Sequence, residues 1–203
     1  NASNKINGEY IKNCLSMTSD KPLIAFSGDS HSLSLFPLSE RIASTYKYDV
    51  FSHSREGCAF PPQSETIRKN CFEVQSSFSN EVINEFKNRE NGSVIVAVSH
   101  LNSHFGYDGK HRTQIKKYND GSRKSVNKNL KNYALSARRL ALKLNELNAS
   151  LIIFAPLVNH PEFTSATCSE QWFRPSTRKG CYQTSKDYLQ KQRLHIMKEI
   201  KSL

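Results

Sequence analysis

Apolar residues fall into four short, nearly continuous runs, and the segments between them carry helical spacing. The runs Pro22–Ser27 (PLIAFS), Asp49–Ser54 (DVFSHS), Val94–Val98 (VIVAV) and Leu151–Ala155 (LIIFA) predict strands. Between the first two, Leu33, Leu35, Phe36, Leu38, Ile42 and Ala43 predict a helix over Ser32–Tyr46, with Pro37 early enough to be tolerated in its first turns. Val82, Ile83 and Phe86 predict a helix near Ser79–Arg89. The strongest amphipathic pattern lies over Asn129–Leu147, where Leu130, Tyr133, Ala134, Ala137, Leu140, Ala141 and Leu144 share one face. A final helix is expected at about Ser185–Leu203. The polar stretch from Ser99 to Ser125 is too long for a plain connector.

Strands that alternate with helices and are apolar along their whole length imply a mostly parallel sheet covered on both faces. The predicted fold class is therefore α/β, a three-layer α/β/α sandwich. Residues 1–20 are polar and form a lead-in or linker ahead of a domain over residues 21–203. In such sheets function collects in the loops after the carboxyl ends of the strands. Here those loops start at Ser27, Ser54, Ser99 and Pro156.

Composition narrows the classes. The chain has 203 residues, enough for one domain with a real core. At 37% hydrophobic and 23% charged residues, wholesale disorder is excluded. No run approaches the roughly 18 apolar residues a membrane span needs, and no signal-peptide pattern opens the chain. It begins at Asn1 and stops at Leu203 within a helical pattern, so a longer parent chain is expected. The 29 Lys and Arg against 18 Asp and Glu give a net charge of +11, which attracts polyanions. The positive residues are densest from Lys110 to Arg139. No nucleic-acid reading module accompanies them, so a nucleic-acid partner is not expected.

Five cysteines stand at 14, 58, 71, 168 and 181, none in a close C-x-x-C pair, which argues against structural zinc. Cys58/Cys71 and Cys168/Cys181 share one spacing, and each pair closes a short loop. Two local disulfides in an oxidising compartment are the economical reading, worth roughly 3 kcal/mol each. Cys14 is left over.

The loop after the first strand reads Phe26-Ser27-Gly28-Asp29-Ser30-His31-Ser32. A glycine there is expected to let the chain turn out of the strand, placing Ser30 at the start of a helix. Unpaired backbone N–H groups at that point favour developing negative charge, so a serine there can act as a nucleophile. The structural alternative is a simple helix cap by Ser30 or Asp29.

Gly28-Asp29-Ser30 after an N-terminal strand resembles the first block of the SGNH (GDSL-type) hydrolases, whose fold is flavodoxin-like. With His31 it is most similar to the SGNH domains fused to membrane acyltransferases that O-acetylate bacterial surface polysaccharides. The resemblance extends to Ser54-Arg55-Glu56-Gly57-Cys58-Ala59-Phe60-Pro61-Pro62, to the Val94–Val98 strand and its loop, and to Ala155-Pro156 … Pro161 … Cys168. These cover most of residues 20–200. The resemblance implies that Ser30 attacks an ester carbonyl. The N–H groups of Ser30 and Gly57, with an Asn side chain after the third strand, would hold the oxyanion. Asn102 is the nearest such Asn, although the family's Gly-x-Asn pattern is absent there.

The family carries Asp-x-x-His near its C-terminus, after one more strand. This chain ends without it, so the base is expected in a further C-terminal segment. The Asp-x-x-His present here, Asp108-Gly109-Lys110-His111, lies in the loop after the third strand and is the second candidate. The resemblance implies no cofactor and no metal. It implies an acidic or neutral glycan substrate, and an acyl (acetyl) donor supplied by a membrane domain of the same chain. The expected location is extracytoplasmic, in the bacterial periplasm or at the cell surface, tethered through the rest of the chain.

Two other readings use the same residues. Asp29 and His31, with Asn159, His160 and His53, resemble part of a calcineurin-like metallophosphoesterase constellation. Alternatively, a non-catalytic module could grip anionic glycan, with Phe60, Tyr107 and Trp172 stacking on sugar rings.

Overall fold

The computed structural model describes residues 20–62, 70–90, 92–99, 123–154 and 186–201. Strand β1 (Leu23–Gly28) leads into a 3-10 helix (Ser30–Leu35) and helix α1 (Phe36–Thr45). Strand β2 (Asp49–Ser54), helix α2 (Cys71–Phe86), strand β3 (Val94–Val98), helix α3 (Arg123–Asn145), strand β4 (Ser150–Ile153) and helix α4 (Lys186–Lys201) follow. The four described strands form one parallel sheet in the order β2-β1-β3-β4. β1 is therefore a central strand, and all four carboxyl ends open onto one rim.

Side chains alternate across a strand, so β1 and β3 each serve two cores. On one face Leu23, Ala25, Ile95 and Ala97 meet Phe78, Val82 and Phe86 of α2 and Leu140 and Leu144 of α3. On the other, Phe26, Val96 and Val98 meet Leu35 and Ile42 beside Ile24, Val50 and Val94. Helices thus cover both faces, giving the three-layer α/β/α sandwich. α4 adds Ile196 to Leu130 and Tyr133 of α3. Fully buried side chains such as Phe78 and Leu144 each contribute on the order of 2–3 kcal/mol.

The β2 and β3 ranges match the apolar runs, and β1 extends one residue further, to Gly28. β4 spans Ser150–Ile153 against the expected Leu151–Ala155, α3 begins at Arg123, six residues before the expected Asn129, and two further helices differ from their expected bounds for identifiable reasons. The Ser32–Tyr46 segment is split into a 3-10 turn and α1, with Pro37 in the first turn of α1. Proline supplies no N–H and its ring crowds the preceding carbonyls, so α-helical bonding restarts at Phe36. α2 begins at Cys71, eight residues before the expected Ser79. Its buried face includes Gln75 and Ser79 among the apolar positions, so hydrophobic spacing alone misses the first two turns. At the opposite rim from the strand carboxyl ends, buried Arg89 pairs with Glu85 and Asp49 and donates to the Lys21 carbonyl, tying the end of α2 to the start of β2.

Candidate active site

β1 ends at Gly28 in register with Ser54 of β2 and Val98 of β3. A Cβ at Gly28 would sit 1.6 Å from the Val98 carbonyl oxygen. The glycine is therefore needed for close approach of two backbones. It is not the turn glycine expected from the sequence, for it holds no positive φ.

Asp29 follows, almost fully buried, and caps the 3-10 helix. Its Oδ1 accepts from the His31 N–H at 2.9 Å and stands 3.1 Å from His31 Nδ1. Its carbonyl oxygen accepts from the Ser32 N–H at 3.0 Å, from Ser32 Oγ at 2.8 Å and from Ser54 Oγ at 2.8 Å. The peptide before Ser30 is pinned from three sides. Asp29 thus does the capping, while Ser30 is exposed and its hydroxyl makes no hydrogen bond among the described residues.

Beside this turn runs the loop from β2. The Arg55 N–H donates to the Gly28 carbonyl at 3.0 Å, one step beyond the last ladder pair. Gly57, two residues on, adopts φ 67, a left-handed conformation that side chains disfavour. Its neighbour Cys58 is disulfide-bonded to Cys71 at the start of α2, with 5.3 Å between the Cα atoms. Phe60 N–H donates to Ser99 Oγ at 3.1 Å, and the Tyr133 hydroxyl donates to the Phe60 carbonyl at 3.1 Å. Thus α2, β3 and α3 all hold the Gly57 loop.

Beneath the rim lies a buried polar layer with no sequence signal beyond polar residues at core positions. Gln75 Oε1 accepts from Ser27 Oγ at 3.1 Å, and its Nε2 donates to the carbonyls of Gly28 at 3.3 Å and Cys58 at 3.1 Å. His53 Nδ1 is 3.5 Å from Ser27 Oγ, and its ring stacks on Phe78 at 4.7 Å between centroids. The Ser27 proton goes to Gln75, so Nδ1–H is the tautomer that fits, leaving Nε2 an acceptor with no partner among the described residues. Burial, and secondarily the nearby Arg55 charge, pushes the imidazole down to about 4. Tyr133 is pushed the other way, well above the ordinary phenol range, by burial and then by the Asp29 charge.

The structure brings together Ser30 and Gly57 at one rim of the sheet. Asn102, Asp108 and His111 lie outside the described residues, as do Cys14, Cys168, Cys181, Asn159, His160, Tyr107 and Trp172. Two expectations change. Phe60 does not offer a ring to sugar: it is completely buried, edge-on to Phe78 at 5.7 Å. His53 does not join Asp29 in a metal constellation, because its ring is packed inward against Phe78. Among the described residues, no three His, Cys, Asp or Glu side chains are grouped so as to hold a metal ion.

A family model described as "SGNH domain (fused to AT3 domains)" matches residues 2–202. No curated protein and no solved structure matches the chain.

Proposed function

The chain belongs to the family of SGNH domains fused to AT3 domains, and from that premise we propose that it transfers an acyl group through Ser30. The family is one of hydrolases and acyltransferases. Ser30 Oγ attacks the ester carbonyl, and the bond to the leaving alcohol breaks as the tetrahedral intermediate collapses to an acyl-Ser30. A hydroxyl group then takes the acyl group from the serine. The N–H groups of Ser30 and Gly57 carry the oxyanion, each worth on the order of 3 kcal/mol of transition-state stabilisation.

The observation that carries this reading is Ser30 itself: an exposed hydroxyl with no hydrogen bond among the described residues, on a peptide whose carbonyl accepts three hydrogen bonds, at the carboxyl end of a central parallel strand. The finer reading is acetyl transfer to or from a cell-surface polysaccharide hydroxyl. The donor comes from a membrane acyltransferase domain of the same chain, and the reaction runs on the extracytoplasmic side of the membrane. The net charge of +11 suits an anionic glycan. Among the described residues no helix is long and apolar enough to cross a membrane, so tethering falls to the AT3 fusion typical of the family. Asp108 and His111 are the candidate pair for the base.

A fluorophosphonate probe followed by peptide mass spectrometry tests the nucleophile. The expected result is one adduct, on the peptide carrying Ser30, absent from Ser30→Ala. A full-length protein that stays unlabelled would sink the serine reading. Loss of labelling in His111→Ala, with the fold intact, assigns the base to that histidine; full labelling assigns it elsewhere.

A further inference from the structure

Gln75 lies in the second turn of α2, one turn beyond Cys71 and completely buried. Its two N–H bonds end on different segments, the last residue of β1 and the loop after β2. One reaches the carbonyl of Gly28, which precedes Asp29 and Ser30; the other reaches that of Cys58, which follows Gly57. The amide cannot be reversed without facing its oxygen to both carbonyls, so the Ser27 hydroxyl on Oε1 sets the side chain's sense. The β1–β2 ladder ends at Gly28 and Ser54, before either loop begins. Beyond it, Arg55 N–H also serves the Gly28 carbonyl, so Gln75 is not needed merely to satisfy that group. What the amide adds is a direct bridge between the end of β1, just before Asp29 and Ser30, and the loop carrying Gly57. Cys58 is held twice by α2, through Sγ to Cys71 and through its carbonyl to Gln75.

We propose that Gln75 is a positioning residue that sets the separation of the Ser30 and Gly57 N–H groups by clamping Gly28 and Cys58 with one carboxamide; this rests on the reading of Ser30 as nucleophile. Only a primary amide both accepts from Ser27 and donates twice. Methionine fills a similar volume with no donor. A protonated glutamic acid has the right shape but donates once, and an ionised one repels both carbonyls.

The test compares Gln75→Met and Gln75→Glu with the parent and with Ser30→Ala. Three readouts are used: turnover of 4-nitrophenyl acetate, the rate of fluorophosphonate labelling, and amide hydrogen exchange. The expected result is a kcat and labelling rate at least tenfold lower in both Gln75 variants, with KM within about twofold. In Gln75→Glu, kcat recovers part of the loss at lower pH as the carboxyl gains its single donor; Gln75→Met shows no recovery. Exchange at amides 30–32 and 57–59 rises together. Should Gln75→Met misfold, Gln75→Glu carries the test alone. Parental kcat in a Gln75 variant, with Ser30→Ala inactive, overturns the clamp and leaves the serine reading standing. Equal turnover in the parent and Ser30→Ala overturns the serine reading, and the clamp as a catalytic device with it. Faster exchange in only one of the two loops overturns the clamp on its own.

Discussion

The hydroxyl of Tyr133 donates to the carbonyl oxygen of Phe60 at 3.1 Å, which fastens α3 to the loop carrying Gly57. The two residues are 73 positions apart and both are completely buried. The phenol is thus a cross-brace between the helix layer and the candidate site. Tyr133→Phe keeps the ring and removes the donor, with an expected loss of about 1–2 kcal/mol. Urea unfolding should show a lower midpoint and an unchanged slope.

Tyr133 also predicts an alkaline limb. Its folded pKa lies above the unfolded value of 10.0, so its stabilising contribution is complete below about pH 10 and is lost as pH rises further. The parent should therefore lose about 1.4 kcal/mol per pH unit more than Tyr133→Phe above pH 10. Parallel slopes for the two proteins in alkaline melts would contradict this.

His53 gives the acid counterpart. Its folded pKa is depressed from 6.5 to about 4, so the stability it contributes is present above pH 6.5 and lost as pH falls toward 4. Protonation must either unstack the ring from Phe78 or bury a charge, at a total of about 3 kcal/mol. His53→Phe preserves the stack and removes the titration. Comparing urea midpoints of the two proteins at pH 7 and pH 4 isolates this contribution from the carboxylates, which titrate in both.

Gly28→Ala should cost about 3 kcal/mol or more, because the methyl group meets backbone of β3 that cannot move aside. A melting temperature equal to the parent's would show that the strands part easily.

Gly57→Ala has a milder expected cost, about 1 kcal/mol for the left-handed backbone. Labelling of Ser30 should fall by more than that figure accounts for, about tenfold or beyond, as the Gly57 N–H is turned from its place. A loss of stability without a loss of labelling would remove Gly57 from the oxyanion site.

Replacing Cys58 and Cys71 together by Ser opens a loop of 13 residues, with an expected loss of about 3 kcal/mol. The double variant, unfolded in urea beside the parent, measures it. Gln75 keeps its bond to the Cys58 carbonyl in that variant, so Ser30 labelling should fall less than in Gln75→Met.

Much of the fold is legible in the sequence, because its causes are local. The apolar runs declare four parallel strands, buried at β1 and β3 but partly exposed at the outer strands β2 and β4, and the face from Leu130 to Leu144 on α3 declares its core side. The Gly28-Asp29-Ser30-His31 string marks the turn after the first strand, for the Asp29 cap and the serine proposed as nucleophile both lie within a few residues of chain. The same locality explains the errors. Hydrophobic spacing discounts Gln75 and Ser79, so the first turns of α2 were invisible. A glycine after a strand reads as a turn, since the strand that crowds it lies elsewhere in the chain.

By itself, then, the sequence determined the layer order, the strand positions and the loop that offers Ser30, since hydrophobic period and short motifs act over neighbouring residues. Only the tertiary structure decided why Gly28 is glycine, that Phe60 and His53 face inward, and that Gln75 and Tyr133 hold the site from outside its motifs. Gln75 reaches Gly28 across 47 residues, and Tyr133 reaches Phe60 across 73. Such bonds depend on which segments the packed sheet and helices bring within 3 Å or so of each other, and no period or spacing along a chain encodes that distance.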